Sequence, residues 1–326
     1  MTTLAEEAVS SLRDRLAGRL VTPEDSDYEQ VRSLWNGAID HRPALIARCA
    51  SPEDVVTALA FARGEHLEIS VRGGGHSFSG ASVCPDGLVV DLGDMKRVEV
   101  DPDAGTVRCG GGATLAELDT ATQPYGLAVP AGTVSNTGVA GLTLGGGVGW
   151  LTRRHGLTVD NLLAADVVLA DGSLVRASED EHPDLFWALR GGGGNFGVVT
   201  TFTFRAHEVG PSVHVGLFFW DIGTGPDAVR VIGDLVPRLP RDTGALMGVG
   251  LTAPPEPFVP EEHQGKLGHA LIVAGFGTDE EHAEAVAPSP TGSPRSSGCA
   301  PPCRTPASSA CWTPRRRPAS SRTTRG

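Results

Sequence analysis

The stretch Val71-Arg72-Gly73-Gly74-Gly75-His76-Ser77-Phe78-Ser79-Gly80 places three consecutive glycines and a histidine directly after a short apolar run. That run, from Glu68 to Arg72, predicts a strand, so the glycines form the loop at its end. Glycine permits positive φ and a close approach to the backbone, and successive exposed amides form a concave anion site. His76 adds a nucleophilic imidazole. A lone histidine after a turn is most often a surface residue, and the chain has ten histidines.

The segments around this loop predict strands and helices in alternation. Ala44 to Cys49 is typical of a strand, and Ser51-Pro52-Glu53-Asp54 opens a helix that runs to about Arg63. Ser51 is a plausible N-cap, Pro52 suits the first helical position, and Asp54 can close a capping box. Leu88 to Leu92 predicts a further strand. The chain therefore begins as an α/β arrangement.

Two hairpins follow, and they change the fold class. Arg97 to Cys109 predicts a hairpin that turns at Asp103-Ala104-Gly105. Ala165 to Ala177 predicts another, which turns at the two-residue signal Asp171-Gly172. Consecutive hairpins indicate an α+β fold rather than a doubly wound one.

Glycine-rich stretches occur at Gly73 to Gly75, Gly138 to Gly149 and Gly191 to Gly197. Gly192 to Gly197 formally fits the dinucleotide pattern GxGxxG. However, a predicted helix, Pro183 to Leu189, precedes it and a predicted strand, Val198 to Arg205, follows it, which is the reverse of the order that a Rossmann loop needs. No stretch ends in Gly-Lys-Ser or Gly-Lys-Thr, so a nucleoside-triphosphate loop has no support.

Three long motifs carry a resemblance to a known family. They are the first loop, the stretch PAGTVSNTGVAGLTLGGGVGW at 130–150 with GLTVDNL at 156–162, and DLFWALRGGGGNFGVVT at 184–200. In this order they resemble the berberine-bridge-enzyme-like FAD-linked oxidases, which have the vanillyl-alcohol-oxidase, or PCMH-type, FAD-binding fold. The resemblance covers about Asp40 to Val209.

The resemblance implies FAD as cofactor. The amides of Arg72 to His76 would cradle its pyrophosphate, and a ring nitrogen of His76 would bond covalently to the 8α-methyl of the isoalloxazine. Some relatives add a second bond from a cysteine, but this sequence has Val134 there, so that bond should be absent. The cofactor-binding residues that the resemblance implies are Arg72, Gly73, Gly74, Gly75, His76, Ser77, Gly132, Thr133, Thr137, Gly138, Gly141, Gly145 and Val199.

The resemblance also implies a division of the chain. We expect a helical lead-in at 1–39, a two-subdomain PCMH-type FAD-binding domain at 40–209, a partial antiparallel α/β substrate domain at 210–287 and a disordered tail at 288–326. In the third part, Val213 to Asp221, Gly244 to Thr252 and Leu267 to Gly277 predict strands, Pro226 to Leu239 predicts a helix, and a helix begins at Asp279. The catalytic base of the family would lie beyond this part and is unassigned here. His214 and Trp220 are candidates for the pocket wall, although ordinary sheet positions fit them better.

The segment 288–326 has a composition unlike the rest. It contains eight prolines, eight serines and seven arginines but no Leu, Ile, Val, Asp, Glu or Lys, so it cannot build a core. An out-of-frame reading of a GC-rich gene would give this composition, and a natural disordered tail is the rival interpretation. Cys299 and Cys303 imitate a metal spacing, but further ligands are missing and we expect no metal.

Charge and composition limit the partners. Residues 1–287 hold 20 basic and all 39 acidic residues, a net charge of −19, which argues against nucleic acid and anionic membranes. The N-terminal 18 residues predict an amphipathic helix and no signal peptide, so we expect a cytoplasmic protein. The expected function is an oxidase that moves hydride from an alcohol, sugar or amine to covalent flavin, with O2 giving H2O2. The alternative is a non-catalytic flavin- or small-molecule-binding protein, or an inactive frameshifted product.

Overall fold

The computed structural model describes residues 4–210, 212–256, 259, 261–278, 280–281 and 303–306. The α-helices in these residues are α1 (Glu6–Arg15), α2 (Tyr28–Arg32), α3 (Pro52–Gly64), α4 (Leu115–Thr122), α5 (Val139–Leu144), α6 (Thr152–His155), α7 (Pro183–Leu189) and α8 (Gly225–Leu235). The strands are β1 (Arg19–Val21), β2 (Leu45–Arg48), β3 (Ile69–Arg72), β4 (Leu88–Asp91), β5 (Val98–Asp101), β6 (Thr106–Gly110), β7 (Leu127–Ala128), β8 (Leu162–Val168), β9 (Leu174–Ser178), β10 (Val198–Arg205), β11 (His207–Glu208), β12 (Ser212–Asp221), β13 (Thr243–Thr252), β14 (Leu267–Gly275) and β15 (Cys303–Pro306).

The first sheet has the order β1-β2-β4-β3, with β2 and β3 both parallel to β4. Helix α3 connects β2 to β3 and begins as predicted, because the Ser51 side chain accepts a hydrogen bond from the Asp54 backbone N–H. The predicted capping box is wrong in its second half. The Asp54 carboxylate instead accepts the N–H groups of Ala17, Gly18 and Ala50, so it ties the helix to the segment before β1.

The second sheet is antiparallel and has the order β5-β6-β10-β8-β9. Both predicted hairpins are present. The second turns over three residues rather than two, since the Leu169 N–H donates to the Ser173 carbonyl and Gly172 adopts a φ of +91°. The side chains of Phe202 and Phe204 on β10 are fully buried at the centre of this sheet's core, together with Leu118 of α4 and Leu189 of α7. Helices α4 and α7 therefore contribute side chains to the same core as β10, although they are far from each other in sequence.

The two sheets share an apolar boundary. Val168 at the end of β8 and Val198 at the start of β10 lie in the core that Leu12, Val55 and Leu88 build around the first sheet. Because residues of both sheets bury the same surface, the region up to β10 is one packed unit made of two subdomains.

A third sheet, of order β13-β14-β12-β15, is also antiparallel. Helix α8 packs against it through Leu235, and Leu271 and Val273 of β14 complete that apolar cluster. The helix predicted at Pro226 to Leu239 continues past α8 as one 3₁₀ turn, Val236–Arg238. Most of the helix predicted from Asp279 lies outside the described residues.

The structure thus has the predicted α+β class, with a mixed first sheet, in which β1 is antiparallel to β2, and antiparallel second and third sheets. Cys303–Pro306, within the segment predicted to be disordered, pairs with β12 as an edge strand. The remainder of 288–326 lies outside the described residues, so disorder stays a prediction there. Cys49, Cys84 and Cys109 are buried and unbridged, and burial raises the pKa of Cys109 to about 12. Among the helices of the described residues, none has the length and apolarity to cross a membrane.

Candidate functional site

The first two glycine stretches of the sequence meet in space. The loop after β3 lies against the segment that precedes α5, and Gly74 and Gly138 make the contact. A Cβ atom on Gly74 would lie 2.4 Å from the Gly138 nitrogen, and one on Gly138 would lie 2.4 Å from the Gly74 nitrogen. Backbone cannot yield to such an overlap without moving a loop, so this contact requires glycine on both sides.

The backbone of the first loop keeps its N–H groups available. Across the part of the chain that the structure describes, no acceptor takes a hydrogen bond from the N–H groups of Gly73, Gly74, Gly75, His76 or Ser77. Gly75 adopts a φ of +70°, which turns the chain between the strand and the histidine. Five successive unpaired amides beside a glycine turn are the donor set that binds an anion.

The side chain of Arg72 packs against the loop, since a Cβ atom on Gly75 would lie 3.0 Å from its Nη2. Its guanidinium donates to the carbonyl of Ser33 at 3.0 Å and to that of Val31. Burial lowers the pKa of this guanidinium. Arg72 is also the last residue of β3, where it pairs with Asp91 of β4. It therefore fastens the loop to the last turn of α2 and to the residue that follows this helix.

We call residues 31–36 the strap, because they hold the first loop from outside. The Trp35 N–H donates to the Gly75 carbonyl at 3.0 Å. The Asn36 side-chain amide donates to the Phe78 carbonyl at 2.8 Å. Together with Arg72, these bonds fix the loop at both ends of its glycine run.

His76 is held on two sides. Its Nε2 lies 2.9 Å from Oδ1 of Asn136, which precedes the second glycine stretch by two residues. Its ring stacks on the indole of Trp35, with centroids 5.2 Å apart and planes inclined by 22°. Its Nδ1 makes no hydrogen bond to any described residue. The imidazole is thus oriented, half-buried, and has one ring nitrogen available.

The residues just before the second glycine stretch form a turn that packs against the start of α4. The Thr137 N–H donates to the Val134 carbonyl at 3.0 Å, and the Thr137 carbonyl accepts from the Leu115 N–H at 2.9 Å. These bonds place Asn136 beside His76 and Gly138 beside Gly74. Gly132 packs tightly on Leu142, since a Cβ there would lie 2.6 Å from the Leu142 Cδ1. Thr133, the other residue of this segment that was predicted to bind the cofactor, follows Gly132 directly and precedes the turn from Val134 to Thr137.

Helix α5 has open space beside Gly141, and Gly145 caps its C-terminal end. A Cβ on Gly141 would meet nothing within 4 Å, so this side of the helix has space beside it. Gly145, by contrast, ends the helix through its N–H bond to the Gly141 carbonyl. Gly147 and Gly149 pack on Thr158 and on the Ala131 carbonyl. The run after α5 therefore uses glycine for packing rather than for open backbone.

Val199 is connected to the first loop through Gly111, which contacts both. Its carbonyl packs against Gly111, where a Cβ would lie 2.5 Å away, and the Gly111 carbonyl lies against Gly73. A register shift between Val199 and Thr201 interrupts the pairing of β10 with β8 at this point. The structure thus brings Val199 to the same neighbourhood as the loop after β3.

The third glycine stretch joins α7 to β10, in the order helix, loop, strand. The prediction that its GxGxxG pattern is accidental as a Rossmann signature is confirmed by that order. The Gly193 N–H donates to the Leu144 carbonyl at 3.3 Å, so this loop contacts the end of α5. A Cβ on Gly194 would meet nothing within 4 Å.

A histidine pair lies where the second sheet meets the third. His155 and His207 stack with centroids 3.8 Å apart, and the Nε2 of His207 lies 2.7 Å from Oδ1 of Asn161. Burial, then the neighbouring charge of His207 and Arg154, lowers the pKa of His155 to about 4. The pKa of His207 is also lowered by burial, so the pair is a polar packing element that stays neutral near pH 7.

Short contacts place the third sheet beside the second stretch. Arg153 of α6 donates to the carbonyls of Leu239 at 2.7 Å and Val236 at 3.2 Å. Gly244 of β13 abuts the Trp150 carbonyl, 2.5 Å from where a Cβ would stand. Trp220 packs in the apolar cluster under α8. The alternation of β12 puts His214 on that same face, so both occupy ordinary sheet positions.

Two residues of the site have no counterpart among the predicted ones. Trp35 lies in the N-terminal lead-in, where no pattern marked it. Asn136 lies inside the quoted second motif, and its proximity to His76 follows only from the contact of the two loops. Asn136 lies two residues before Gly138, but nothing in the sequence shows that Gly138 meets the histidine loop, so no local signal identifies Asn136.

The chain matches a family of known proteins over the region that contains the site. Residues 43–178 match the FAD binding domain family. Among curated relatives, the FAD-linked oxidoreductase pgmH of Aspergillus terreus is 36% identical, in an alignment that covers 88% of this chain and 58% of that protein.

Solved structures give the same result. The 6-hydroxy-D-nicotine oxidase of Arthrobacter nicotinovorans superposes with a TM-score of 0.77 at 31% identity, covering 87% of this chain and 60% of that one. The berberine-bridge-enzyme-like protein 1 of Physcomitrella patens gives a TM-score of 0.77 at 26% identity, covering 91% and 61%. The chain thus spans about three fifths of the length of each relative.

Proposed function

We propose that the chain is an FAD-linked oxidoreductase with a berberine-bridge-like fold, and that it oxidises a small molecule with FAD held covalently by His76. The observation that carries this proposal is the convergence of three features at the contact of Gly74 with Gly138. These are the five unpaired amides, the open face of α5 and an imidazole with a free ring nitrogen.

The residues present fit FAD. Its pyrophosphate is the anion that the amides from Gly73 to Ser77 would bind, because they are otherwise unpaired within the described chain. The glycines at the contact of the two loops keep side chains out of this region, and Gly141 leaves room along α5. When bound, FAD supplies a hydride acceptor for the substrate carbon.

Covalent attachment through His76 is supported by the way that its ring is held. Trp35 covers one face of the ring, while Nδ1 makes no bond to the described residues. A neutral imidazole nitrogen is a competent nucleophile. Since Val134 occupies the position where some relatives have cysteine, we propose a single covalent bond.

Acid precipitation of the purified protein tests the attachment. We expect flavin fluorescence to stay with the denatured polypeptide in the wild type and to appear in the supernatant for His76→Ala. A wild type that releases all of its flavin into the supernatant would rule out the covalent bond. Flavin retained by His76→Ala would assign the bond to another residue.

For the substrate we propose a secondary metabolite, sugar or amine that carries an oxidisable C–H beside oxygen or nitrogen, with dioxygen as the electron acceptor and hydrogen peroxide as product. The 6-hydroxy-D-nicotine oxidase among the structural relatives supports an amine. Oxygen consumption and peroxide release, measured against panels of alcohols, sugars and amines, test this proposal. The cytoplasmic location predicted from the N-terminal sequence stays part of it.

One observation favours a second candidate, a flavin-binding protein without turnover. The family resemblance implies a tyrosine or a glutamate as base, and neither of the chain's two tyrosines lies in the third sheet. The Tyr28 hydroxyl is buried and donates to the Pro43 carbonyl at 2.7 Å. Stoichiometric flavin with no oxygen consumption across the panels would favour this candidate over the oxidase.

A further inference from the structure

Asn136 contacts one ring nitrogen of His76, and the other makes no hydrogen bond to the described residues. Its Oδ1, which carries no proton, lies 2.9 Å from Nε2 of His76, so Nε2 must be the donor in that hydrogen bond. A neutral imidazole carries one N–H. The proton on Nε2 therefore leaves Nδ1 with an unshared electron pair. Trp35, stacked on the ring, holds its plane in place.

We propose that Asn136 is a positioning residue for covalent flavin attachment, by holding the His76 proton on Nε2 so that Nδ1 forms the bond. This inference rests on the proposed function, because it requires the covalent bond. Asn136 does not touch the reacting carbon in this scheme. It acts through the ring that it orients.

The step balances with dioxygen as oxidant. A bond forms between Nδ1 and the 8α-carbon, and one C–H bond of the 8α-methyl breaks. The two electrons released pass through the flavin ring to dioxygen, which becomes hydrogen peroxide. Its two protons correspond to one from the methyl group and one from Nε2, which leaves a neutral substituted imidazole. While Nε2 still carries its proton, the ring is positively charged, and the Asn136 carbonyl oxygen stabilises that charge.

The comparison of Asn136→Leu with Asn136→Asp tests the proposal. Leucine fills a similar volume without an acceptor, whereas aspartate keeps an oxygen for Nε2–H. Full-length protein is incubated with added FAD in air, and the share of polypeptide that carries acid-stable flavin is followed over time. We expect attachment in Asn136→Leu to be about tenfold slower, which is the effect of losing roughly one hydrogen bond to a charged group, and Asn136→Asp to stay near the wild-type rate.

The matched control is Gln264→Leu. Gln264 likewise donates its side-chain amide to a backbone carbonyl, that of Val259 at 2.8 Å, but it lies outside both glycine loops of the site. We expect its attachment rate to stay within about twofold of the wild type. Dissociable FAD binding and Tm are measured for every variant, so that a folding defect is separated from slow attachment.

The outcomes separate the two proposals. A wild type without acid-stable flavin overturns both covalent attachment and the role of Asn136. A wild type with acid-stable flavin, together with Asn136→Leu that attaches equally fast, overturns the role of Asn136 alone. Equal slowing by Asn136→Leu and Asn136→Asp also overturns it, because a merely structural role would not be rescued by an acceptor. Rescue by aspartate supports it.

Discussion

The first and third glycine loops look alike in sequence but use glycine differently. In the first loop, Gly74 meets the backbone of Gly138, which belongs to another loop of the site. In the third, Gly192 and Gly197 meet the carbonyls of Ala188 and Val168, which belong to the adjoining helix and strand. A run of glycines thus shows that close approach occurs, but only the partner shows whether it serves a ligand site or the fold.

The largest effect is expected from Gly74→Ala. The new Cβ would lie 2.4 Å from the Gly138 nitrogen, so the two loops must separate. We expect a loss of about 2 kcal/mol in the free energy of unfolding and an at least tenfold loss of FAD binding, since overpacking against backbone also displaces the amides. Urea unfolding and the flavin content of purified protein measure the two quantities. Wild-type flavin content in this variant would show that the loop contact does not shape the FAD site.

Arg72→Met is expected to sharpen the comparison, because it removes two of the bonds between the first loop and the strap. Methionine removes the donors to the Val31 and Ser33 carbonyls and leaves both unpaired. We expect a loss of about 2 kcal/mol in the free energy of unfolding, with weaker FAD binding. The control, Arg230→Met, removes an exposed guanidinium paired with Asp227 and should change stability by less than about 0.5 kcal/mol. Equal losses in the two variants would contradict the strap.

Gly197→Ala should affect stability without affecting flavin. Gly197 has a φ of +148°, and a Cβ there would lie 2.7 Å from the Val168 carbonyl oxygen of β8. We expect a loss of about 1.5 kcal/mol in the free energy of unfolding from this strain. The flavin content per folded molecule should match the wild type. A loss of flavin as large as in Gly74→Ala would show that the third loop also shapes the site.

Sequence reasoning predicted the elements that local signals define. Pro183 at the start of α7 and the apolar run of β10 gave both elements their observed bounds, because a proline start and a glycine end are local features. Asp54 was assigned to a capping box, but it bonds Ala17 and Gly18, which lie far away in sequence. Long-range bonds of this kind leave no local pattern.

The site divides in the same way. The glycines and His76 stand out in the sequence because their residue types are unusual in a row. Trp35 and Asn136 do not stand out, since a single tryptophan or asparagine forms no sequence pattern. Their contacts with His76 depend on how distant segments of the chain pack together. The family resemblance indicated which loops belong to the site, while the orientation of the imidazole required the structure.

The smallest effect is expected from Gly194→Ala, which makes the same change as Gly74→Ala in the third loop, at a glycine with no close neighbour. Gly194 needs no positive φ, and a Cβ there would meet nothing within 4 Å. We expect the free energy of unfolding to stay within about 0.5 kcal/mol of the wild type and the flavin content to be unchanged. The same glycine-to-alanine change at Gly74 and Gly194 then differs only in what the new methyl group meets. A large loss of flavin in Gly194→Ala would mean that the open space beside this glycine is occupied when FAD is bound, and the third loop would join the first as part of the site.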